Sequence, residues 1–400
     1  MRKATVLPMT DVSAIGRLLA MLALGVFSST LVTRITDPLV GVLALDLGAT
    51  TARVALLASA FALPFALIQP ILGPVGDALG KRRVIATCLG ALSVLLMLSA
   101  FAWNLEALLV LRMLAGLAAG GVMPLCIAMV GDSVPLQHRQ LALSRLVAFT
   151  LAGQIAGGSV AGLLEPYLGW RGIMVAAGCV AACGMVAILL GGHTAAPELR
   201  QRFDLMGALQ RYRQLLRMPA ARVLYAAVAI EGALVLGCFT YFAPILEARG
   251  LGGAAEAGLT VAAFGVGGLV YAAIAKPALR RFSQQQLVRL GGALCLLALL
   301  DFGFATAAWM FITGGLVLGV GMYLMHNTIQ TRVTELAPQA RGSAVALHAF
   351  HFFVRQTLGP VLYGLALNQL GSTIAFPIAG LCLLALGFLL SRPSPSHSPG

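Results

Sequence analysis

Apolar residues in this chain neither alternate with polar ones nor keep to one helical stripe. They run on for about twenty positions at a time, from residue 14 to residue 391. A run of that length crosses a hydrocarbon layer of about 30 Å as a helix, which satisfies its own backbone hydrogen bonds. The ten-residue alternation of a membrane barrel is missing. The pattern therefore predicts an all-α membrane protein with twelve transmembrane helices, over residues 14–40, 52–74, 84–103, 105–130, 142–164, 170–192, 222–246, 255–277, 286–306, 308–331, 343–366 and 371–391. The first run is too long for a signal peptide and leads straight into further spans, so it is read as retained. The expected organisation is a tail at 1–13, a six-helix half at 14–192, a linker at 193–221, a second six-helix half at 222–391, and a Pro/Ser-rich disordered tail at 392–400.

Composition sharpens this picture. The 400 residues are 59% hydrophobic and 10% charged, with a mean hydropathy of +0.92. Soluble domains carry about 25% charged residues, so a water-facing surface cannot be built from this chain. A net charge of +13 raises the question of a nucleic-acid partner, but the charge is distributed as in a membrane protein and no nucleic-acid motif accompanies it. Most basic residues fall on the side that holds both termini, whereas the opposite loops hold Arg53, Arg171 and Arg249. That bias places both termini in the cytoplasm and the chain in a bacterial-type inner membrane. Arg200, Arg202, Arg211, Arg213, Arg217 and Arg222 have the spacing of an amphipathic segment lying on an anionic leaflet. The seven cysteines sit singly in apolar runs, so neither a disulfide framework nor a metal site is expected.

The two halves repeat. A shift of 202 residues brings Gly157, Gly158 and Gly162 onto Gly359, Pro360 and Gly364, and "YLGWRGIMVAAG" onto "QLGSTIAFPIAG". Two pseudo-symmetric halves of this kind imply a site at mid-membrane between them and alternating access by rocking.

One bridge stands out for its charge. "GPVGDALGKRRV", Gly73 to Val84, holds an Asp, a Lys and two Arg between long uncharged stretches. A short loop at the membrane surface keeps such charges solvated, and its three basic residues set its side of the membrane. The spacing Gly73, Asp77, Gly80, Lys81 and Arg82 resembles the signature loop between spans two and three of the major facilitator superfamily. Ala78 stands where that signature usually has Arg. Twelve spans, two related halves and a long basic middle loop extend the resemblance over residues 14–391. It implies that Asp77, with Gly73, Gly80, Lys81 and Arg82, latches the two halves in one state.

Ionisable residues at membrane depth cost roughly 2.5 kcal/mol or more and are functional candidates by default. Arg34 and Asp37 lie three residues apart in span one, on one helix face, and Pro38 is expected to kink or unwind the helix there. The sequence Arg-x-x-Asp-Pro is similar to what drug-efflux-like members of the superfamily carry. Arg112, in span four, falls where proton-driven exporters tend to have an Arg implicated in proton transfer. Glu231 is an isolated acid, with no other charge between Arg222 and Glu247. Asp37, Glu231 and Arg112 are thus the proton-coupling candidates. Arg34, Gln154, Glu231, His326, Asn327 and Arg355 are the substrate-binding candidates. His351 and His348 lie one and two turns before Arg355, and His351 reads better as a helix-interface residue than as a proton carrier. Phe149, Phe239, Tyr241, Phe264 and Phe352 are candidate cavity aromatics.

Span five matches the antiporter signature of the superfamily at Gly153, Gly157 and Gly162, with Gly158 in place of Pro. Gly359–Pro360 supplies that dipeptide in span eleven, and a helix-packing role explains much of the row. No phosphate-binding loop, dinucleotide fingerprint or nucleophile elbow is present, so no enzyme and no cofactor is expected. The expectation is a monomeric secondary transporter, driven by protons, that exports small amphipathic or drug-like molecules. Import of a small organic anion held by the intramembrane arginines is the alternative, and a non-transporting membrane sensor the remote one.

Overall fold

The computed structural model describes residues 12–191, 205–336 and 341–391. The tails, Arg200 and Arg202 lie outside them, as do the side chains of Asp77 and Arg211. The described residues are mostly helical, with no strand among them. The helices are α1 (Val12–Leu31), α2 (Val40–Asp46), α3 (Thr51–Leu79), α4 (Lys81–Ser99), α5 (Leu105–Gly120), α6 (Val122–Ser133), α7 (Leu136–Leu190) and α8 (Leu205–Arg217). They continue as α9 (Pro219–Glu231), α10 (Phe242–Ala248), α11 (Ala254–Arg281), α12 (Gln284–Phe304), α13 (Ala308–Leu336), α14 (Arg341–Gln356), α15 (Gly359–Leu370) and α16 (Ser372–Leu390). Helices fall within all twelve expected stretches, several of them interrupted. Among the described residues nine stretches are long and apolar enough to cross a membrane; one of them, Ala148–Leu190, is 43 residues long.

Several expected spans are broken helices. α1 stops at Leu31, and a short 3-10 turn at Asp37–Leu39, containing Pro38, leads into α2. Span seven was expected to be continuous. Instead α9 ends at Glu231, a π-helical turn follows at Gly232–Leu236, and a 3-10 turn at Gly237–Tyr241 precedes α10. Span eleven likewise divides into α14 and α15 ahead of Pro360, which lacks the N–H that would continue the ladder. Within α7 the non-helical Gly169, at φ 60°, ψ 168°, separates two helices that correspond to the expected spans five and six. Its repeat mate Gly371 has φ 71°, ψ 169° and separates α15 from α16. Equal backbone geometry at an offset of 202 residues carries the sequence repeat into three dimensions; only Gly adopts such angles without a steric cost.

Packing divides the chain into two compact units. The first comprises Met1–Ile35, Ala60–Gly157 and Pro166–Phe203; the second comprises Thr36–Ser59, Gly158–Glu165 and Asp204–Gly400. The second unit therefore takes in two stretches from the first half of the chain.

In the first unit Leu22, Val26, Leu89, Leu125, Val130 and Leu146 form part of the core. Lipid offers no hydrophobic drive between helices, so close approach depends on small residues. A side chain at Gly116 would meet the backbone of Phe61, and one at Gly157 the backbone of Leu31. Ser93 Oγ donates to Gly178 O at 2.8 Å and Ser28 Oγ to Val180 O at 3.1 Å.

The second unit has an aromatic core. Phe302 stacks on Phe311 at 5.2 Å, and Phe239 meets Phe264 edge-on at 4.9 Å. Phe239, Tyr241 and Phe264, expected to line a cavity, are buried in this core; Phe149 is exposed. Arginines close helix ends whose carbonyls lack intrahelical partners. Arg249 donates to Phe302 O, Gly303 O and Ala305 O at the end of α12, and to Ser372 Oγ at the start of α16. Burial lowers the pKa of its guanidinium from the ordinary value. Of the basic middle segment, Leu215 of α8 is buried, while Arg213, Arg217 and Arg222 face outward.

Candidate functional site

The break in span seven positions the main site. Glu231 is the last residue of α9, immediately before the π-helical turn, and is fully buried. A π-helical turn inside a helix often marks a functional site. Across from it, His326 of α13 places Nδ1 2.7 Å from Glu231 Oε2. The other carboxylate oxygen, Oε1, has no hydrogen-bond partner among the described residues. Gly232 permits the approach, because a side chain there would meet the carbonyl of Phe352.

α14 completes the surroundings. The His348 ring lies 5.1 Å from that of His326, and the Phe352 ring stands edge-on to His326 at 5.0 Å. His348 is 2% exposed and neither ring nitrogen has a partner among the described residues. His351 is the satisfied interface residue expected of it: Nδ1 hydrogen-bonds with Leu347 O at 2.7 Å and the ring stacks on Tyr225 at 4.9 Å. A buried carboxylate paired with an imidazole shares protons as a coupled unit. No metal cluster of three or more ligands occurs among the described residues.

In the first unit Arg112 of α5 is fully buried. Its Nη1 donates to Val32 O at 3.1 Å, and its guanidinium lies over the Phe61 ring at 4.4 Å. Val32 is the first residue beyond α1, so Arg112 supplies a donor where the helical ladder stops. Arg34, in the same unit, is 4% exposed. Asp37, in the second unit, is fully buried at the start of its 3-10 turn.

The remaining candidates fall elsewhere. Gln154 is half-buried on α7, and Asn327 Nδ2 donates to Tyr323 O of its own helix at 2.9 Å. Arg355 is exposed at the end of α14. In the signature loop Gly80 has φ 97°, the left-handed region that favours glycine, and connects α3 to α4. Lys81 Nζ pairs with Asp132 Oδ2 at 2.7 Å. Arg82 donates to Ile188 O and Leu189 O at the end of α7. The expected pairing of Asp77 lies outside the described side chains. Gly153 and Gly157 pack on the end of α1, Gly158 and Gly162 on α11, and Gly359 on Gly237. Pro360 O accepts from Tyr241 Oη at 2.8 Å. Sequence reasoning named Glu231 and His326 separately but did not foresee their pairing, nor His348 beside them. Ninety-five residues separate the pair, and no local spacing signals it.

These features define a multi-span membrane carrier, and comparison with known proteins places it. The family model described as Major Facilitator Superfamily matches residues 22–360. The chain belongs to that superfamily and is a small-molecule transporter of the bilayer, not an enzyme. It is 27% identical over 367 residues to the chloramphenicol resistance protein of Streptomyces lividans, covering 88% of this chain and 89% of that one. It is 33% identical over 106 residues to the gallate transporter of Pseudomonas putida, a match covering 26% of this chain and 24% of that relative. Among solved structures, a POT family transporter in complex with 5-aminolevulinic acid superposes with a TM-score of 0.75 at 14% identity, over 97% of this chain and 98% of that one. That likeness speaks to the fold.

Proposed function

We propose that the protein is a proton-coupled exporter of small amphipathic molecules, working by alternating access. The observation that carries this reading is the contact at 2.7 Å between the fully buried Glu231 and His326. A carboxylate at membrane depth persists only with a function or a partner, and a carboxylate–imidazole pair is a proton acceptor in either role. A proton entering down 100 mV supplies about 2.3 kcal/mol, besides any pH difference. Nearly full-length similarity to a chloramphenicol resistance protein favours export, since removal of a drug is one way a transporter confers resistance. Asp37 and Arg112 assist coupling, and Arg34, Gln154, Asn327 and Arg355 meet the substrate. Gly73, Asp77, Gly80, Lys81 and Arg82 latch one state, with the Lys81–Asp132 pair supporting that role. Twelve spans, cytoplasmic termini in an inner membrane, and a monomer complete the reading.

The test is dissipation of a preformed pH gradient in inverted vesicles. Ethidium, taken as a lipophilic cation, and chloramphenicol are expected to dissipate the gradient in the wild type. Glu231→Gln abolishes the response. Uptake of an organic anion is the second reading, favoured by the local match to a gallate transporter. A response to gallate or benzoate alone, retained in Glu231→Gln, would select it.

A further inference from the structure

The geometry points to a proton wire of three residues, His348–His326–Glu231, in which His348 is the port through which the buried pair exchanges protons with the side to which the sequence assigns the chain termini. This rests on the proton-coupled reading and adds the path and its direction.

The three residues form a staircase. α13 and α14 are joined by the few residues between Leu336 and Arg341, so the end of one and the start of the other lie on the same side of the unit. Tyr225 Oη, at the middle of α9, donates to Ala344 O near the start of α14 at 3.3 Å, and Gly232, just past the end of α9, lies against Phe352 toward the end of α14, which puts the start of α9 on that side too. At 1.5 Å per residue, His348 lies about 10 Å in from the start of α14, His326 about 15 Å in from the end of α13, and Glu231 about 18 Å in from the start of α9. The residues thus rise from the side to which the sequence assigns the chain termini, in the order that their contacts follow. Glu231 meets His326 at 2.7 Å, and the His326 and His348 rings lie 5.1 Å apart at 58°.

A second observation picks out His348. It is 2% exposed, and both ring nitrogens lack partners among the described residues, although buried polar groups are nearly always hydrogen-bonded. His351, one turn along the same helix, is bonded and stacked. An imidazole buried with both nitrogens idle is placed for an intermittent partner. A modest ring rotation, or one bridging water, joins it to His326.

The proton balance is simple. A proton taken up at His348 passes to His326 Nε2, while the Nδ1 proton of His326 moves to Glu231 Oε2. One proton has then entered, Glu231 is neutral, and His326 is left as the Nε2–H tautomer. Release runs the same steps backwards. The other titratable groups facing the wire are Cys295 of α12, beside Glu231, and His351, beside His348. Neither continues it toward the helix ends, since Cys295 is buried and His351 is already bonded.

Time-resolved infrared spectroscopy of the purified full-length protein tests this without any substrate. After a pH jump, the carboxylic-acid C=O band that is lost in Glu231→Gln reports protonation of Glu231. In His348→Ala the band is expected to reach the same final amplitude, but roughly a hundredfold more slowly, the low end of what a positioned acid–base group contributes. Added imidazole, which cannot repair a merely structural defect, restores the rate. If His348→Ala does not yield folded protein, His348→Gln, closer in size, replaces it. An unchanged rate in the variant overturns the wire while leaving proton coupling at Glu231 intact. Absence of any band that titrates and depends on Glu231 overturns both the wire and the coupling role.

Discussion

At Arg112 a single guanidinium does two things: it donates to the carbonyl that α1 leaves free and covers the face of Phe61. Both contacts lie where no water competes, so losing the donor exposes the full cost of an unsatisfied carbonyl. Arg112→Ala is expected to cost roughly 2 kcal/mol, read as a lowered unfolding midpoint in detergent. Arg112→Lys should lie between, because an ammonium keeps the charge but lacks the planar fork that stacks and donates together. Glu231 shows the opposite use of burial. Its contact with His326 leaves Oε1 unmatched, and Glu231→Gln keeps the shape while removing the proposed proton site. Loss of gradient dissipation with retained folding is the expected signature.

Individual elements are decided by backbone approach. Gly157 sits against the backbone of Leu31, so a β-carbon there has no flexible neighbour to displace. Gly157→Val is expected to cost about 3 kcal/mol, seen as loss of the monodisperse folded fraction after extraction. Gly16, which faces open space, provides the control, and Gly16→Ala should be neutral or stabilising. Helix ends show how the repeat preserves an interaction while moving the residue. Arg82, at the start of α4, bonds Ile188 O at the end of α7, and Arg332 of α13 bonds Leu390 O at the end of α16. Ile188 and Leu390 are 202 residues apart, yet their arginines are not repeat mates. The carbonyls at a helix end demand a donor, and any side chain within reach can supply it.

For the whole molecule, the open quantity is the number of crossings. A phosphatase reporter, active only outside the cytoplasm, is expected to be inactive after Asp11 and Arg392 and active after Gly48 and Gly250. Opposite results at the two ends would require an odd number of crossings and remove the twelve-span reading.

Helical class, membrane residence, the signature loop and the superfamily were all legible along the chain, because each rests on local composition or on fixed short spacings. So were the broken first span, through Pro38, and the turn at Gly80. The break after Glu231 carried weaker signals, Gly232 and Gly237, which in a membrane helix serve equally for packing. Which apolar face meets which was not legible at all. In α3, Phe61 and Phe65 are buried while Leu63 and Leu67 are exposed, yet all four suit lipid. Lipid is as apolar as a protein core, so hydropathy draws no line between the two. The pairing of Glu231 with His326, and the place of His348 next to them, therefore came only from tertiary structure, which alone brings α9, α13 and α14 together.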